Sequence, residues 1–422
     1  MSASREPSRG LSGEARSSWP RASAASTPAK PGHPWRRRAA IGVLVVLLAV
    51  LGIYGWAWAS LDRSAMARAM IWMDADVGDQ ERFPSRPIRT GSEPSSLPAG
   101  SELVLPAPAV ADAARSGSVD GFLRDTGTMA FLVVHEDRLV YERYFGGSDR
   151  QTLQTSFSVA KSALSTLIGV AIDEGVIGSL DDPVTTYLPE LAERDARFER
   201  ITLRHLVTMS SGLRYVEQSL PLPWGDDIST YYGTDLRDLA LNGTHIERAP
   251  GEAWLYNNYN PLLLGMVLER ATGMSVSEYI SSRLWRPLGA EFDATWSLDS
   301  EGSGFEKMES GLNAAPADYA RFGLLFLHGG EWNGARIVSD GWVRAATARD
   351  TSADPAEHYQ YFWWIDTERP GRFYAVGNLG QYVYVAPDAD AVIVRNGRDW
   401  GVEHETWLAA FREIADRLVG GA

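Results

Sequence analysis

Cysteine is absent from the 422 residues and lysine nearly so: three of the 40 basic residues are lysines, Lys30, Lys161 and Lys307, and the rest are arginines. Without thiols, disulfides, thiolate nucleophiles and cysteine-ligated zinc or iron–sulfur sites are excluded. The seven histidines are scattered, with no pair at ligand spacing. No H-E-x-x-H, no Walker loop and no G-x-G-x-x-G after a strand is present, so nothing implies a metal, a nucleotide or another cofactor. A G-x-S-x-G elbow is also missing. The net charge of −14 argues against nucleic acid as a partner, because phosphate binding needs a basic face. Apolar residues make up 45% and charged ones 22%, the balance of a folded globular body.

Charge is missing locally as well. From Ala39 to Leu61 no residue is ionisable except Tyr54, and three arginines, Arg36 to Arg38, stand before that run. About 23 residues at roughly 1.5 Å each span some 34 Å, enough to cross a bilayer. The arginines place the N-terminus on the cytoplasmic side and the rest of the chain outside, with Trp56 and Trp58 at the far interface. Ala57 and Ala59 also form a small-x-small signature, so a cleaved signal peptide is the alternative to an uncleaved anchor. Residues 1–38 are expected to form a disordered cytoplasmic tail and 39–61 a transmembrane anchor. Residues 62–120, rich in proline and serine, read as a linker, and 121–422 as the folded domain.

Within that domain, Thr128 to Gly146 reads as a hairpin turning at Glu136-Asp137-Arg138. Helical patterns dominate about 155–345, strands return from Tyr359, and an amphipathic helix closes the chain at about 403–419. The expected fold is α/β in the α+β sense: one antiparallel sheet built from both chain ends, flanked by helices, with an inserted helical subdomain.

The scarcity of lysine makes one of the three conspicuous. "SFSVAKSALSTLIG" places Lys161 three residues after Ser158, at the head of an apolar helix that Gly175 can end. At that spacing both side chains share one helix face, a turn apart. A desolvated lysine can give up its proton where arginine cannot, and the helix N-terminus favours developing negative charge on the serine oxygen.

These residues carry a resemblance. The sequence resembles the serine β-lactamase-like superfamily, which includes class C β-lactamases, carboxylesterases, D-amino-acid peptidases and 6-aminohexanoate-dimer hydrolases. Ser158-Val159-Ala160-Lys161 matches its S-x-x-K motif, and Tyr256-Asn257-Asn258 its Y-x-N motif. "ITLRHLVTMSSGL" (201–213) and "ADYARFGLLFLHGGEWNGARIVS" (317–339) are similar to further family segments, so the resemblance covers roughly 120–418. The third motif departs: Asn378-Leu379-Gly380 stands where the family has K-T-G or H-x-G. Gly380 keeps the small residue that lets a substrate approach the strand, but Asn378 lacks the cation that meets a substrate carboxylate. That favours a small neutral ester or amide over a β-lactam or D,D-peptide, and the 6-aminohexanoate-dimer hydrolase and carboxylesterase branch.

The resemblance implies a serine hydrolase that forms an acyl-enzyme on Ser158, and the apolar span would hold it at the outer side of the cytoplasmic membrane. Lys161 would be the base and Tyr256 the proton relay, with Asn258 hydrogen-bonded to Lys161 or to a substrate amide. The backbone N–H groups of Ser158 and Gln381 would form the oxyanion hole. Asn257 is expected to be structural, and Tyr215, Trp224, Tyr231 and Tyr232 to form an aromatic substrate wall. Trp363 and Trp364 are expected in the core, while Arg395 and His404 have no assigned role. The alternatives are a β-lactamase or D,D-peptidase, and a non-catalytic receptor for envelope peptides or glycans that kept the fold.

Overall fold

The computed structural model describes residues 34–105, 118–217, 225–350 and 356–420. The chain divides into two units, Met1–Ile53 and Tyr54–Ala422. In the first, the described residues are helical: they belong to the helix Pro34–Ala59, the one helix among the described residues long and apolar enough to cross a membrane. It begins inside the expected tail, since nothing interrupts helix-forming residues after Pro34, whose fixed φ suits a first turn. The rest of that tail lies outside the described residues.

The second unit is built on a seven-stranded antiparallel sheet. In chain order the protein's strands are β1 (Ser85–Ile88), β2 (Thr128–His135), β3 (Arg138–Tyr144), β4 (Gln154–Thr155), β5 (Ala294–Ser297), β6 (Leu312–Ala314), β7 (Glu331–Trp332), β8 (Ala335–Arg336), β9 (Tyr359–Gln360), β10 (Trp363–Ile365), β11 (Phe373–Gly377), β12 (Gln381–Ala386) and β13 (Ala391–Gly397). The large sheet runs β3-β2-β13-β12-β11-β10-β9, so strands from both ends of the domain meet at the β2–β13 pair, as expected. Period-two alternation sorts its side chains onto two faces. Val383 and Val385 of β12 join the large core under the helices Val159–Asp173 and Pro316–Leu327. Tyr382, Tyr384 and Ala386 join a second core under the closing helix His404–Val419. Both faces are therefore covered. The β2–β3 hairpin turns on Glu136 and Asp137, both at positive φ (48° and 61°), the geometry whose twist matches the strands it joins.

The expected linker is largely structured, and the domain does not begin at Gly121. Ser64 caps the helix Ala65–Trp72 by accepting a hydrogen bond from Ala67 N. From that helix Arg68, 3% exposed, donates to the carbonyls of Leu61, Gly233 and Asp299 at 2.8, 3.1 and 2.6 Å. Trp72 meets Phe83 edge to face with centroids 5.1 Å apart. Strand β1 then pairs with β5 in a second sheet ordered β1-β5-β6-β4, and 98–103 runs along β3 through the Leu139 N to Pro98 O and Leu103 N to Val140 O bonds. These elements are too short to show a period, and one buried guanidinium fastens them to carbonyls more than 160 residues away. Residues 106–117 of the linker lie outside the described residues.

Replacing that guanidinium leaves three carbonyls without their donor. Arg68→Met is expected to lower stability by about 3 kcal/mol, read as a drop in the urea midpoint of the detergent-solubilised protein at unchanged m.

Candidate active site

Ser158 occupies the N-cap position of the helix Val159–Asp173. The residue before it, Phe157, has φ +44°, a left-handed backbone that a bulky side chain adopts only where its surroundings enforce it. Two contacts hold it: its ring stacks on Tyr231 at 6.2 Å and 26°, and Ser156 N donates to Leu312 O in β6 at 2.8 Å. The bend leads the chain from β4 into the helix with Ser158 at the turn.

One turn on, Lys161 is 1% exposed. Its Nζ lies 2.9 Å from Ser158 Oγ, 2.8 Å from the carbonyl oxygen of Glu309 and 5.0 Å from the centre of the Tyr256 ring. In an uncharged amine one N–H serves the Glu309 carbonyl and the lone pair faces the serine O–H, so this arrangement suits proton abstraction from Oγ. Tyr256 comes from the segment before the helix Tyr259–Thr272. Its ring is bracketed by Trp364 (5.9 Å, 31°) and by the edge of Tyr359 (5.9 Å, 83°). Trp363 is fully buried, whereas Trp364 is only partly buried and braces Tyr256.

Asn258 is not bonded to Lys161. Its Nδ2 donates to Tyr215 Oη (2.8 Å) and Thr230 Oγ1 (3.2 Å), while Thr230 spends its own proton on the Asp226 carbonyl at 2.8 Å. Since the Thr230 oxygen can then only accept, the amide orientation is settled. Asn258 Oδ1 is buried without a hydrogen bond among the described residues, and Asn258 lines the cavity at Ser158. Tyr215 sits behind Asn258, 8% exposed, and is not among the cavity-lining residues, contrary to expectation. Burial pushes its hydroxyl well above the ordinary tyrosine range. Tyr231 and Tyr232 do line the cavity, and Trp224 lies outside the described residues. Asn257 is structural: its Nδ2 donates to Leu213 O and its Oδ1 accepts from Tyr259 N.

The third motif is displaced from where the sequence reading puts it. Gly377, the last residue of β11, is the glycine against Ser158: a Cβ there would overlap Ser156 O and come 3.0 Å from Ser158 N. Gly380, at φ +78°, faces Arg395 instead, whose guanidinium a Cβ would strike. Gln381 is 2% exposed and pairs with Gly377. Its side chain donates to Asn378 O at 3.2 Å and accepts from Gly397 N at 3.3 Å, closing the hairpin rather than facing the cavity. Asn378 is exposed and lines the cavity. Neither Ser158 N nor Asn378 N donates a hydrogen bond among the described residues. Arg395, left without a role by the sequence, clasps the turn. It donates to Gly380 O (2.7 Å), Thr126 O (2.7 Å), Asp399 O (3.1 Å) and Thr128 Oγ1 (3.0 Å), and lies 3.9 Å from the centre of the Trp407 ring. His404 sits on the other face of the sheet between Tyr382 and Tyr374, where burial lowers its proton affinity.

The cavity holds about 510 Å³. Part of its wall comes from the chain just after the helix Ala65–Trp72, at Met73, Asp74 and Ala75. Four acidic residues are among those lining it, Asp74, Glu217, Asp227 and Glu309, the last with its carboxylate buried against Lys307. Burial raises the Glu217 carboxyl above its usual range, with Asp227 adding to the effect and Lys161 opposing it. Sequence reasoning missed Phe157, Gly377, Lys307 and Glu309. The only signals available were the two glycines in "VGNLGQ" and the rarity of lysine.

The chain is similar in sequence and fold to several known proteins. The 6-aminohexanoate-dimer hydrolase of Paenarthrobacter ureafaciens is 31% identical over 310 residues, which is 67% of this chain and 76% of that one. Esterase EstB of Burkholderia gladioli is 31% identical over 183 residues, 39% of this chain and 46% of its own. A solved structure from Bacillus anthracis, provisionally assigned as a 6-aminohexanoate-dimer hydrolase, has a TM-score of 0.73 and 25% identity, covering 81% of this chain and 93% of its own. The profile of the Beta-lactamase family matches residues 119–410, a span that includes Ser158, Lys161, Tyr256 and Gly377. The chain therefore belongs to the Beta-lactamase family, a family of serine hydrolases.

Proposed function

We propose that the protein is a membrane-anchored esterase or amidase that cleaves a small neutral substrate through an acyl-enzyme on Ser158. The observation that carries this reading is the 2.9 Å contact between Ser158 Oγ and a buried Lys161 amine whose other hydrogen-bond partner is a neutral carbonyl. Lys161 takes the serine proton as Oγ attacks the substrate carbonyl, and Tyr256, over whose ring the amine lies, passes a proton to the leaving group. The negative charge that develops on the carbonyl oxygen meets two unused backbone donors, Ser158 N and Asn378 N. The close approach of Gly377 to Ser156 and Ser158 brings the end of β11, from which Asn378 follows, against the turn that carries Ser158 and supports this pairing. Water then repeats the sequence with Lys161 and Tyr256 to release the acid. Asn258 lines the cavity, and its buried Oδ1, without a hydrogen bond among the described residues, is the acceptor it would turn toward a substrate amide N–H. No lysine, arginine or histidine is among the described cavity-lining residues, which include Asp74 and Glu217, and this supports a small ester or amide without net negative charge, a class that includes the zwitterionic dimer named for the Paenarthrobacter relative.

The same reading places the helix Pro34–Ala59 in the cytoplasmic membrane, with the three arginines at its start inside and the hydrolase body outside. That body starts by Ser64 rather than at Gly121.

Three outcomes follow. Ser158→Ala lowers turnover of a short-chain p-nitrophenyl ester at least about 10⁴-fold and abolishes the fluorophosphonate adduct on its peptide; an undiminished rate would end the proposal. Asn378→Ala keeps its backbone N–H and most of the activity, whereas Asn378→Pro loses about 10²–10³-fold in kcat. Equal rates in the two would move the oxyanion donor elsewhere. In membrane fractions the full chain stays in the pellet after an alkaline carbonate wash, and protease added outside right-side-out vesicles digests the hydrolase body. Protection of the body would reverse the orientation.

A further inference from the structure

Two of the three lysines are buried, and both end on one residue. Lys161 donates to the backbone oxygen of Glu309, and Lys307 to its carboxylate Oε1 at 2.7 Å. Lys307 and Glu309 are each 1% exposed. The Lys307 ammonium also donates to Tyr231 O and lies 4.6 Å from the ring centres of both Phe83 and Tyr231. Ser310 Oγ donates to the same Oε1 at 2.7 Å, and Oε2 has no hydrogen-bond partner among the described residues. A buried ion pair is no better for stability than apolar side chains of similar volume, so its presence beside the nucleophile asks for another account.

We propose that Lys307 is a positioning residue for Lys161. It neutralises Glu309, so that the Glu309 carbonyl can orient the Lys161 amine without the carboxylate of the same residue holding that amine protonated. This rests on the reading of Ser158 and Lys161 as nucleophile and base. The other charged or titratable groups around the pair are accounted for. Tyr256 lies beneath the amine with Tyr359 behind it, and Glu217 acts on Lys161 from the cavity side with Asp227 behind. On the far side of Lys307 are Arg68 and Asp299, and Tyr231 bonded to Asp79. Burial lowers the proton affinity of Lys307 and Glu309 opposes that.

The sign is fixed by charge. Removing Lys307 leaves a buried carboxylate beside Lys161, which favours the charged amine, and the acidic limb of the rate profile then moves to higher pH. Because the chain has only three lysines, [13Cε]lysine labelling of the full-length protein in detergent gives three resonances, and Lys161 can be followed without turnover. In Lys307→Met the Lys161 resonance titrates at higher pH than in the parent. At pH 7, kcat/KM for a neutral ester falls at least about tenfold, with KM within about twofold. Lys307→Met/Glu309→Gln, which leaves neither charge, returns both to near parent values, and Lys307→Arg stays near them throughout. An unmoved Lys161 titration in Lys307→Met, or a double variant that melts like the parent yet keeps the displaced limb, overturns the proposal. Should Lys307→Met not fold, the other two variants carry the test, and a displaced limb in either overturns it. An active Ser158→Ala protein would instead strike the nucleophile assignment, and the resonance titration would still decide the role of Lys307.

Discussion

The Lys161 amine lies between two oxygens, a serine hydroxyl and a backbone carbonyl. Ser158 Oγ is supplied by the helix itself, one turn away. The Glu309 carbonyl comes from a distant part of the chain, just before β6, and is fixed by the Lys307–Glu309 pair. Everything around the site can be described by how it keeps that geometry. β4 and β6 hold the bend at Ser156 and Phe157. Tyr231 supports Phe157 on one side and Lys307 on the other. The aromatic cluster of Trp254, Tyr359 and Trp364 limits where the Tyr256 ring can lie. Each of these groups restrains a neighbour of the Ser158–Lys161 pair, because interiors this dense pass a displacement on to their neighbours.

Ser158 and Lys161 are legible in the sequence because their juxtaposition needs only helix geometry: positions i and i+3 share a face wherever a helix forms. The sheet from both chain ends is legible for a similar reason, since its strands alternate clearly or are continuously apolar. Legibility fails where a long-range contact decides. Two glycines stand three residues apart in "VGNLGQ", and nothing local says which one meets the nucleophile. Arg395, anchored to Thr126 and Thr128 from the far end of the domain, takes Gly380 and leaves Gly377 for Ser158. Glu309 acts through its backbone oxygen, and a carbonyl carries no signature in the sequence. Tyr215 looks like a substrate-facing aromatic by position, but it is spent on orienting Asn258.

The hairpin turn at 378–380 and the bend at Phe157 divide the work of shaping the nucleophile's surroundings. The bend is unfavourable for Phe157 by about 1–3 kcal/mol and must be held by its packing. The turn, by contrast, is held by a buried cation bonded only to neutral oxygens and lying against Trp407. Such an arrangement fixes the turn through Gly380 without help from a ligand, the preorganisation that the proposed role of the Asn378 amide depends on.

The segment after the helix Pro34–Ala59 walls the cavity of the hydrolase body through Met73, Asp74 and Ala75, while its Phe83 lies against Lys307. Truncation within this segment is therefore not neutral: a chain begun at Ser64 keeps the cavity wall, whereas one begun after Phe83 loses one side of the cavity together with a support of the buried ion pair.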